Sequence, residues 1–590
     1  MNTASPHALK SKLVNLLQQP TLSAKSFSQI YPLLLTSGFT EHHPIALKIT
    51  ETLLGFRNPS FAYKALKQFH HHQQSPFLFN TLISGFAGTK SPHSAVVIYK
   101  HMVVDGVYPD KYTFPVILKS CAKFSGIGES KQLHGAAIKM GFSCDIYVQN
   151  ALVNVYCICG DFCNARKLFD GMPERDVVSW TGLISGYVKG GDFSTALRLF
   201  SDMDVAPNIA TLVSVLVACG RLGELNIGRR IHGLILKTMV EIGLIAGNAI
   251  LGMYVKCEQV DEAKRVFEEI PERDIFSWTS LISGLVQCKR PRDAIEIFHE
   301  MQASGVEADK VVLSSVLSAC ASLGALDIGR WVHEYIDRKG IEWDVHIGTA
   351  LVDMYAKCGC LERAVSTFHE MPCKNTFSWN ALLGGLAMHG HGRDALDYFH
   401  RMIRLGFSPN DVTFIAILSA CSHSGLVEEG RRFFSVMTRT YNFTPRIEHY
   451  GCMVDLLCRA GLLQEAYELV KSMPMTADVL IWGAMLSACK AQKNIELSQE
   501  ILSHLLELEP CDSGVYVLLS QVFAMKDRWG DVMKVRRLMR EKGIKKEPGS
   551  SAIEVNGKVH EFLVGEMART QEEIWAVLHI LERQLQLHGL

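Results

Sequence analysis

The chain has 590 residues, of which 48% are apolar and 20% charged, and its 60 basic side chains balance its 60 acidic ones. This composition is typical of a globular protein and excludes an intrinsically disordered chain. A zero net charge gives no overall attraction for nucleic acid, so any such contact has to be local, along one groove. No uncharged stretch is long enough to cross a bilayer, and we expect no membrane partner.

The first 40 residues contain no acidic side chain, three lysines and many Ser and Thr. Several leucines fall on one helical face beside two of the lysines, which is typical of an organelle presequence. We place that presequence at residues 1–21 and favour the mitochondrion over the chloroplast, although the absence of Arg argues against a mitochondrial address. A basic disordered leader is the alternative. Residues 22–75 contain degenerate copies of the pattern described next and are expected to cap it.

A Trp-containing stretch occurs three times, as "DVVSWTGLISGYVKGG" from Asp176, "DIFSWTSLISGLVQCK" from Asp274 and "NTFSWNALLGGLAMHG" from Asn375. Between these copies the chain divides into units of 35, 35 and 31 residues, with small departures, over residues 76–478. Repeats of this length are typical of stacked architectures. The units are 76–110, 111–145, 146–176, 177–208, 209–243, 244–274, 275–309, 310–344, 345–375, 376–410, 411–446 and 447–478.

Each unit contains two segments with apolar residues at helical spacing, separated by a polar or Gly-containing turn such as "KCEQ" or "KGGD". One such hairpin cannot bury its apolar face alone, whereas stacked hairpins can. The sequence therefore predicts an all-α fold, an α-solenoid superhelix of stacked helix-turn-helix repeats, with the Trp in the core and no strand in residues 45–546. In the second segment an Ala and a Phe four residues later share one face, which allows close helix packing. The pairs are Ala165/Phe169, Ala263/Phe267, Ala294/Phe298, Ala364/Phe368 and Ala395/Phe399.

Cysteines and histidines also recur at fixed positions of the units. The series are Cys121, Cys219, Cys320 and Cys421, then Cys159, Cys257 and Cys358, and finally His134, His232 and His333. Members of one series are three hairpins apart, about 30 Å at roughly 10 Å per helix layer, which is too far to share a metal or a disulfide. We interpret the thiols as small buried groups and the histidines as structural residues on second helices. No catalytic, cofactor or metal site can be assembled, so we expect no enzyme.

Two positions of the unit vary within a narrow polar set, namely its fifth residue and its last residue. Only Asn, Thr and Asp occur there in seven units, as the pairs Asn80/Asp110, Asn150/Asp176, Thr181/Asn208, Asn248/Asp274, Thr279/Asp309, Thr349/Asn375 and Asn380/Asn410. Helix capping is the alternative explanation, because these residue types are favoured at helix starts. Capping accounts for the last residue, but not for a choice between Asn and Thr at the fifth residue.

The units resemble pentatricopeptide repeats of the plant P-L-S subfamily, over the chain from about residue 22 to its C-terminus. That family binds single-stranded RNA with one base per repeat. The resemblance implies that the fifth and last residues contact the base edge, with Asn at the fifth favouring pyrimidines and Thr favouring purines. Asp, which only accepts, suits the N–H of U and G, and Asn can donate to the bare ring nitrogen of C and A. The apolar second residue is expected to insert between bases, as Phe77, Val178, Phe276 and Phe377.

Carried onto this chain, the resemblance implies the 5′-to-3′ target U-n-U-A-n-U-G-n-A-Y-n for the units between residues 76 and 446. The seven units with Asn, Thr or Asp at both positions, which we call readable, supply the named bases. Four other units leave the base open, because their pairs follow no clear hydrogen-bonding pattern. These pairs are Pro115/Asp145, Val213/Gly243, Ser314/Asp344 and Ile415/Arg446.

Residues 479–546 resemble the two E motifs of this subfamily, and 547–590 resemble an extension of the E region in which Ala552 replaces the usual Trp. The family's cytidine deaminase domain is not found in the sequence. The resemblance implies a site-recognition factor for C-to-U editing of organelle RNA. Its expected partners are a deaminase-bearing pentatricopeptide repeat protein in trans and organellar editing cofactors. A splicing or transcript-stability factor and a tetratricopeptide-like protein-binding scaffold are the alternatives.

Overall fold

A computed structural model describes most of the chain after residue 75. The described residues are 76–88, 92–238, 243–492, 494, 497–498, 500–501, 504–505, 508, 513–525, 527–544, 550–555 and 558–563. The expected presequence and capping repeats lie outside these residues. The chain divides into two compact parts, which we call the N-terminal block (Met1–Arg273) and the C-terminal block (Asp274–Leu590).

Helices dominate both blocks. In the N-terminal block α1 to α12 are Pro76–Ala87, His93–Val104, Thr113–Lys123, Ile127–Lys139, Ile146–Ile158, Phe162–Asp170, Val177–Lys189, Phe193–Ser201, Ile209–Leu222, Leu225–Thr238, Leu244–Lys256 and Val260–Glu269. In the C-terminal block α13 to α27 are Ile275–Gln287, Pro291–Ala303, Lys310–Leu323, Leu326–Arg338, Val345–Lys357, Leu361–Glu370, Thr376–Met388, Gly392–Arg404, Asp411–Ser424, Val427–Arg439, Ile447–Arg459, Leu463–Lys471, Val479–Ala491, Ser513–Ala524 and Trp529–Glu541. No helix in the described residues is long and apolar enough to span a membrane.

Up to α24, the odd-numbered helices are the first helices of the predicted repeats and the even-numbered ones are the second helices. Within each block, a first helix packs against its own second helix and against the first helix of the next repeat. Within the same block, each second helix up to α24 also packs against the first helix that follows it. Each block is therefore a stack of hairpins, and the predicted all-α solenoid fold is confirmed.

The repeated Trp lies in the core, as predicted. Trp180, Trp278 and Trp379 are all buried, and so is every member of the five Ala/Phe pairs. The Trp379 ring meets the Phe368 ring of the preceding repeat edge-on, with centroids 4.7 Å apart. Because this Phe stands on a second helix and the Trp on the next first helix, the aromatic contact joins consecutive repeats.

The turn between the two helices of a repeat requires a left-handed backbone. Gly160, Gly191 and Gly390 occupy this position with φ of 76°, 84° and 73°. In the "KCEQ" turn Glu258 occupies it with φ of 59°, a conformation that costs a residue with a Cβ roughly 1–2 kcal/mol. The hairpin geometry is therefore retained even where the sequence lacks Gly.

An antiparallel hairpin of β1 (Ser550–Val555) and β2 (Lys558–Leu563) follows the helices. The helical pattern of the repeats does not extend this far, so it did not predict these strands. The signal that could have found them is Asn556-Gly557 between two short runs that contain Ile553, Val555, Val559 and Phe562, which is typical of a hairpin with a two-residue turn. Ala552 lies on β1.

Candidate nucleic-acid interface

The last residue of each readable repeat lies at or just before the N-terminus of the next first helix. In each case its Oδ1 accepts a hydrogen bond from the backbone N–H three residues further along. The N–Oδ1 distances are 2.9 Å at Asp110, 2.8 Å at Asp176, 2.9 Å at Asn208, 2.9 Å at Asp274, 2.8 Å at Asp309, 3.0 Å at Asn375 and 3.0 Å at Asn410. Helix capping is therefore one function of this position.

The loop that leads to the last residue is held by the residue before it. The Arg175 guanidinium lies 5.1 Å from the centroid of the Phe169 ring, and its Nε donates to the Phe169 carbonyl oxygen at 3.0 Å. Arg273 makes the same contacts with Phe267, at 4.8 Å and 2.9 Å. Because these carbonyl oxygens lie near the C-terminal end of a second helix, the Arg side chains anchor the loop to that helix.

Where the fifth residue is Asn, its side chain donates to the last residue of the same repeat at Asn80, Asn150 and Asn380. The Nδ2–Oδ1 distance is 3.0 Å from Asn80 to Asp110, 3.2 Å from Asn150 to Asp176 and 3.0 Å from Asn380 to Asn410. In the fourth pair, Asn248 lies on α11 of the N-terminal block and Asp274 caps α13 of the C-terminal block.

Where the fifth residue is Thr, its hydroxyl bonds mainly to other groups. Thr181 and Thr279 donate to the carbonyl oxygens four residues earlier, at 2.6 Å and 2.7 Å. Thr349 Oγ1 lies 2.9 Å from Ser378 Oγ in the next repeat. Only at Thr181 does a long contact of 3.4 Å reach the last residue, Asn208. The predicted pairing of fifth and last residues is therefore closer in the Asn repeats than in the Thr repeats.

The second polar atom of the last side chain takes part in none of these bonds. Because Oδ1 faces the helix N-terminus, this atom is Oδ2 in Asp110 and Asp176, which can only accept, and Nδ2 in Asn208, Asn375 and Asn410, which can only donate. These five residues are half-buried and keep some contact with solvent. Asp and Asn therefore present opposite hydrogen-bonding character at the same place.

The carboxyl groups of Asp110 and Asp176 stay ionised at neutral pH. Partial burial acts to raise the pKa of each, but hydrogen bonds from Thr113 and Asn80 to Asp110, and from Ser179 and Asn150 to Asp176, outweigh it and lower the pKa. Both groups are thus acceptors throughout the physiological range. They suit a partner that donates an N–H.

The second residue of the repeat is exposed although it is apolar. The exposed fraction is 51% for Phe77, 53% for Val178, 61% for Phe276 and 66% for Phe377. Insertion between bases was predicted for these four residues, and further repeats expose an apolar side chain at the same position. They are Tyr112, Tyr147, Ile245, Val311 and Val412. Large apolar side chains exposed at a fixed interval indicate a surface that meets a partner.

A cleft of about 640 Å³ opens between the first two described repeats. Its lining includes Phe77 and Tyr112, the second residues of the two repeats, together with the pair Asn80 and Asp110. Asn80 Oδ1 is buried and has no hydrogen-bond partner in the described residues. Such an acceptor costs about 1–3 kcal/mol until a donor satisfies it. The cleft can hold a flat aromatic group between apolar walls and offer it polar contacts.

Exposed basic side chains recur in the last turn of the first helices, a feature that the sequence analysis does not single out. In the N-terminal block they include Lys189, Arg221 and Lys256, and in the C-terminal block Lys357 and Arg459. A cation there is favoured by the helix dipole. The signal that could have found them is a basic thirteenth residue in the unit. Lys357 and Arg459 form ion pairs with Asp353 and Asp455 at 2.8 Å and 2.9 Å. The cations of the N-terminal block are therefore the better source of local positive charge on a chain without net charge.

The recurring histidines and cysteines have structural contacts. The histidines lie on second helices, and burial lowers the pKa of all three. Their Nδ1 atoms meet tyrosine hydroxyls of the next repeat, in the pairs His134–Tyr156 (2.9 Å), His232–Tyr254 (3.0 Å) and His333–Tyr355 (2.8 Å). The first cysteine series is buried as expected, whereas Cys159, Cys257 and Cys358 are only half-buried. Among the described residues no cysteine forms a disulfide and no side-chain cluster could hold a metal ion.

Comparison with known proteins places these features in a family. Models described as PPR repeat and PPR repeat family match 75–123, 150–177, 178–206, 248–275, 273–322, 349–376, 374–423, 412–439 and 448–475. A model described as E motif matches residues 492–554. A crystal structure of the maize pentatricopeptide repeat protein PPR10 shares the fold, with a TM-score of 0.53 and 16% identity over 91% of this chain and 90% of that one.

Three Arabidopsis thaliana proteins show how similar the relatives are. Pentatricopeptide repeat-containing protein At4g38010 is 54% identical over 92% of this chain and 98% of its own length. The proteins named At2g22410, mitochondrial, and At1g08070, chloroplastic, are 39% and 38% identical, over 86% and 87% of this chain and 80% and 74% of their own lengths. The chain therefore belongs to the pentatricopeptide repeat family and carries an E motif.

Proposed function

We propose that this chain is a sequence-specific single-stranded RNA-binding protein of a plant organelle and a site-recognition factor for C-to-U editing. In the proposed complex, each readable repeat of the P-L-S array holds one base between the apolar second residues of neighbouring repeats. The cleft lined by Phe77, Tyr112, Asn80 and Asp110 supports this arrangement. Stacking on aromatic side chains is worth about 1–3 kcal/mol per base.

The observation that carries the proposal is that the two polar side-chain atoms of the last residue have different roles. Oδ1 caps the next helix, and the second atom accepts in Asp110 and Asp176 but donates in Asn208 and Asn375. U and G present an N–H on the Watson–Crick edge, and C and A present a bare ring nitrogen. The two chemistries match, so we assign U to Asp110 and Asp176 and A to Asn208 and Asn375.

The RNA backbone requires positive charge that the net charge of the chain does not supply. We assign this role to the exposed cations at the ends of the first helices, such as Lys189, Arg221 and Lys256. Phosphate contacts position a nucleic acid without selecting its sequence. Their salt dependence would be modest, because few charges are involved.

The editing role rests on the E motif matched at 492–554, which follows the repeats. In the proposed mechanism the repeats grip RNA just 5′ of the target cytidine, and the E region recruits a deaminase-bearing pentatricopeptide repeat protein in trans with organellar editing cofactors. This chain itself would carry out no catalysis. Since relatives are named both mitochondrial and chloroplastic, the mitochondrion is our preferred site and the chloroplast the alternative.

The editing role is tested by sequencing organelle transcripts from plants that lack this protein. We expect editing to be lost at one or a few cytidines that follow a stretch matching U-n-U-A-n-U-G-n-A-Y-n, and to return when the intact gene is restored. Unchanged editing at every site, together with a retained intron or a missing transcript, would show a splicing or stability factor instead.

A further inference from the structure

A buried hydroxyl lies next to the candidate base contacts, on the third residue of the following repeat. This residue is Thr113, Ser179, Thr211, Ser277, Ser378 or Thr413, and all six are essentially inaccessible to solvent. In each case the hydroxyl lies within hydrogen-bonding distance of Oδ1 of the last residue of the preceding repeat. The distances are 2.9 Å to Asp110, 2.8 Å to Asp176, 2.9 Å to Asn208, 2.8 Å to Asp274, 3.1 Å to Asn375 and 2.9 Å to Asn410.

In three repeats the same hydroxyl also meets the fifth residue. Thr211 Oγ1 lies 2.6 Å from Thr181 Oγ1, Ser378 Oγ lies 2.9 Å from Thr349 Oγ1, and Thr413 Oγ1 lies 2.7 Å from Asn380 Oδ1. At Thr349 this contact takes the place of the direct bond to the last residue that Asn80, Asn150 and Asn380 make. At Thr181 it is shorter than the 3.4 Å contact with Asn208. The hydroxyl therefore links the two residues that we assign to the base edge.

Helix capping alone does not require this hydroxyl. Asp145, Asp344 and Asp478 cap their helices through the backbone N–H of Val148, Ile347 and Ile481, at 3.2 Å, 2.9 Å and 2.9 Å. These third residues have no hydroxyl, yet the caps at Asp344 and Asp478 are as short as those of the readable repeats. Where Ser or Thr is present, its hydroxyl adds a second capping bond in several repeats by accepting from the backbone N–H of the last residue, at Asp110, Asp176, Asn375 and Asn410. The proton of that hydroxyl remains available to the side chains of the pair.

The hydroxyl occurs where a base is assigned. Six of the seven readable pairs are followed by Ser or Thr at the third residue of the next unit. The four open pairs are followed by Val148, Ala246, Ile347 and His449. The one readable pair without the hydroxyl is Thr279/Asp309, which is followed by Val312. Thr279 donates to the carbonyl oxygen of Ile275 at 2.7 Å, as Thr181 does to that of Val177 at 2.6 Å.

We propose that the hydroxyl at the third residue is a positioning residue for base discrimination, which orients the fifth and last side chains of the preceding repeat. This inference rests on the proposed RNA-binding function. The hydroxyl has one proton and two lone pairs. At Thr413 it accepts from the Asn410 backbone N–H at 3.1 Å, so its proton is left to fix a side-chain oxygen of the pair. Without it, the fifth side chain can turn away from the base.

The test replaces Thr211 with Val, which has the same shape but lacks the hydroxyl. The full chain is titrated with two target RNAs that carry A or G at position 4, the position of repeat 177–208. We expect the preference for A to fall about fivefold, since a net hydrogen bond is worth roughly that factor. Thr211→Ser restores the hydroxyl and should restore the preference. Position 7, which belongs to repeat 275–309, serves as the internal control and should keep its preference for G.

A purely structural role would weaken binding to both RNAs equally and leave their affinity ratio unchanged, and that result would overturn the inference. If the unaltered chain showed no preference at position 4, the proposed base assignment would fail first and this inference with it. Should Thr211→Val unfold, Ser378→Ala is assayed in the same way with A or G at position 9. A retained preference for A would then be the contradicting result.

Discussion

Replacing Asp176 with Asn is expected to change the preferred base at position 3 of the RNA target from U to C. The substitution keeps Oδ1 as the cap of α7, because Asn caps helices as well as Asp does. It converts the second atom from an acceptor into a donor, so the contact that favoured the N–H of U now favours the bare nitrogen of C. One well-placed base contact is worth about 1–3 kcal/mol, or roughly a 5- to 150-fold change in relative affinity.

The measurement is the dissociation constant for two RNAs that differ only by U or C at position 3, at one salt concentration. Asp145→Asn is the matched control, because Asp145 also caps a first helix through a backbone N–H at 3.2 Å but belongs to an open repeat. We expect that variant to keep the preference for U at position 3. A preference for U that survives in Asp176→Asn would remove Asp176 from the base-contacting set.

Replacing Trp379 with Ala is expected to destabilise the repeats around it by about 3–5 kcal/mol, the usual cost of removing a buried aromatic side chain. Trp379 is 1% exposed and packs against Phe368, Tyr398 and Phe407, with ring centroids 4.7 Å, 6.5 Å and 5.8 Å away. Because stability in stacked repeats is a sum of local terms, the loss should be concentrated in neighbouring hairpins.

Hydrogen exchange of backbone amides measures this local loss, with faster exchange expected in α18 to α21. Trp529→Ala is the matched control, since Trp529 has the same side chain but is 61% exposed at the start of α27. We expect it to change stability by less than about 0.5 kcal/mol. Equal effects of the two substitutions would show that the repeated Trp does not join the repeats.

The helices could be predicted from the sequence because packing decides them. Ala294 and Phe298 are four residues apart, so the sequence already shows a small and a large side chain on adjacent turns of one helix face. Both residues are buried. The β-hairpin at 550–563 was missed because its pattern differs from the repeat and occurs once. The left-handed turn at Glu258 was also hidden, since nothing in its residue type reports a positive φ.

The candidate interface could be predicted only in outline. The residue types at the fifth and last positions can be read from the sequence. Asn, Asp and Thr are suited both to helix capping and to base contacts, so the residue types alone do not distinguish the two roles. Asn208 can do both, because its Oδ1 accepts from Thr211 while its Nδ2 takes no part in that bond. The helix geometry determines which side-chain atom makes the capping hydrogen bond. The spacing of residues in the sequence does not report this. The role that we propose for Thr211 was missed for the same reason.

The central claim is that this chain recognises RNA base by base, and binding of the unaltered protein tests it most directly. The assay compares the RNA U-n-U-A-n-U-G-n-A-Y-n with a counterpart in which every assigned A and U is exchanged, at the same salt concentration and with the open positions kept identical. Since mismatches cost about 1–3 kcal/mol each and add roughly, we expect the exchanged RNA to bind at least about 100-fold more weakly. Equal affinity for the two RNAs, or no binding to either, would contradict the account.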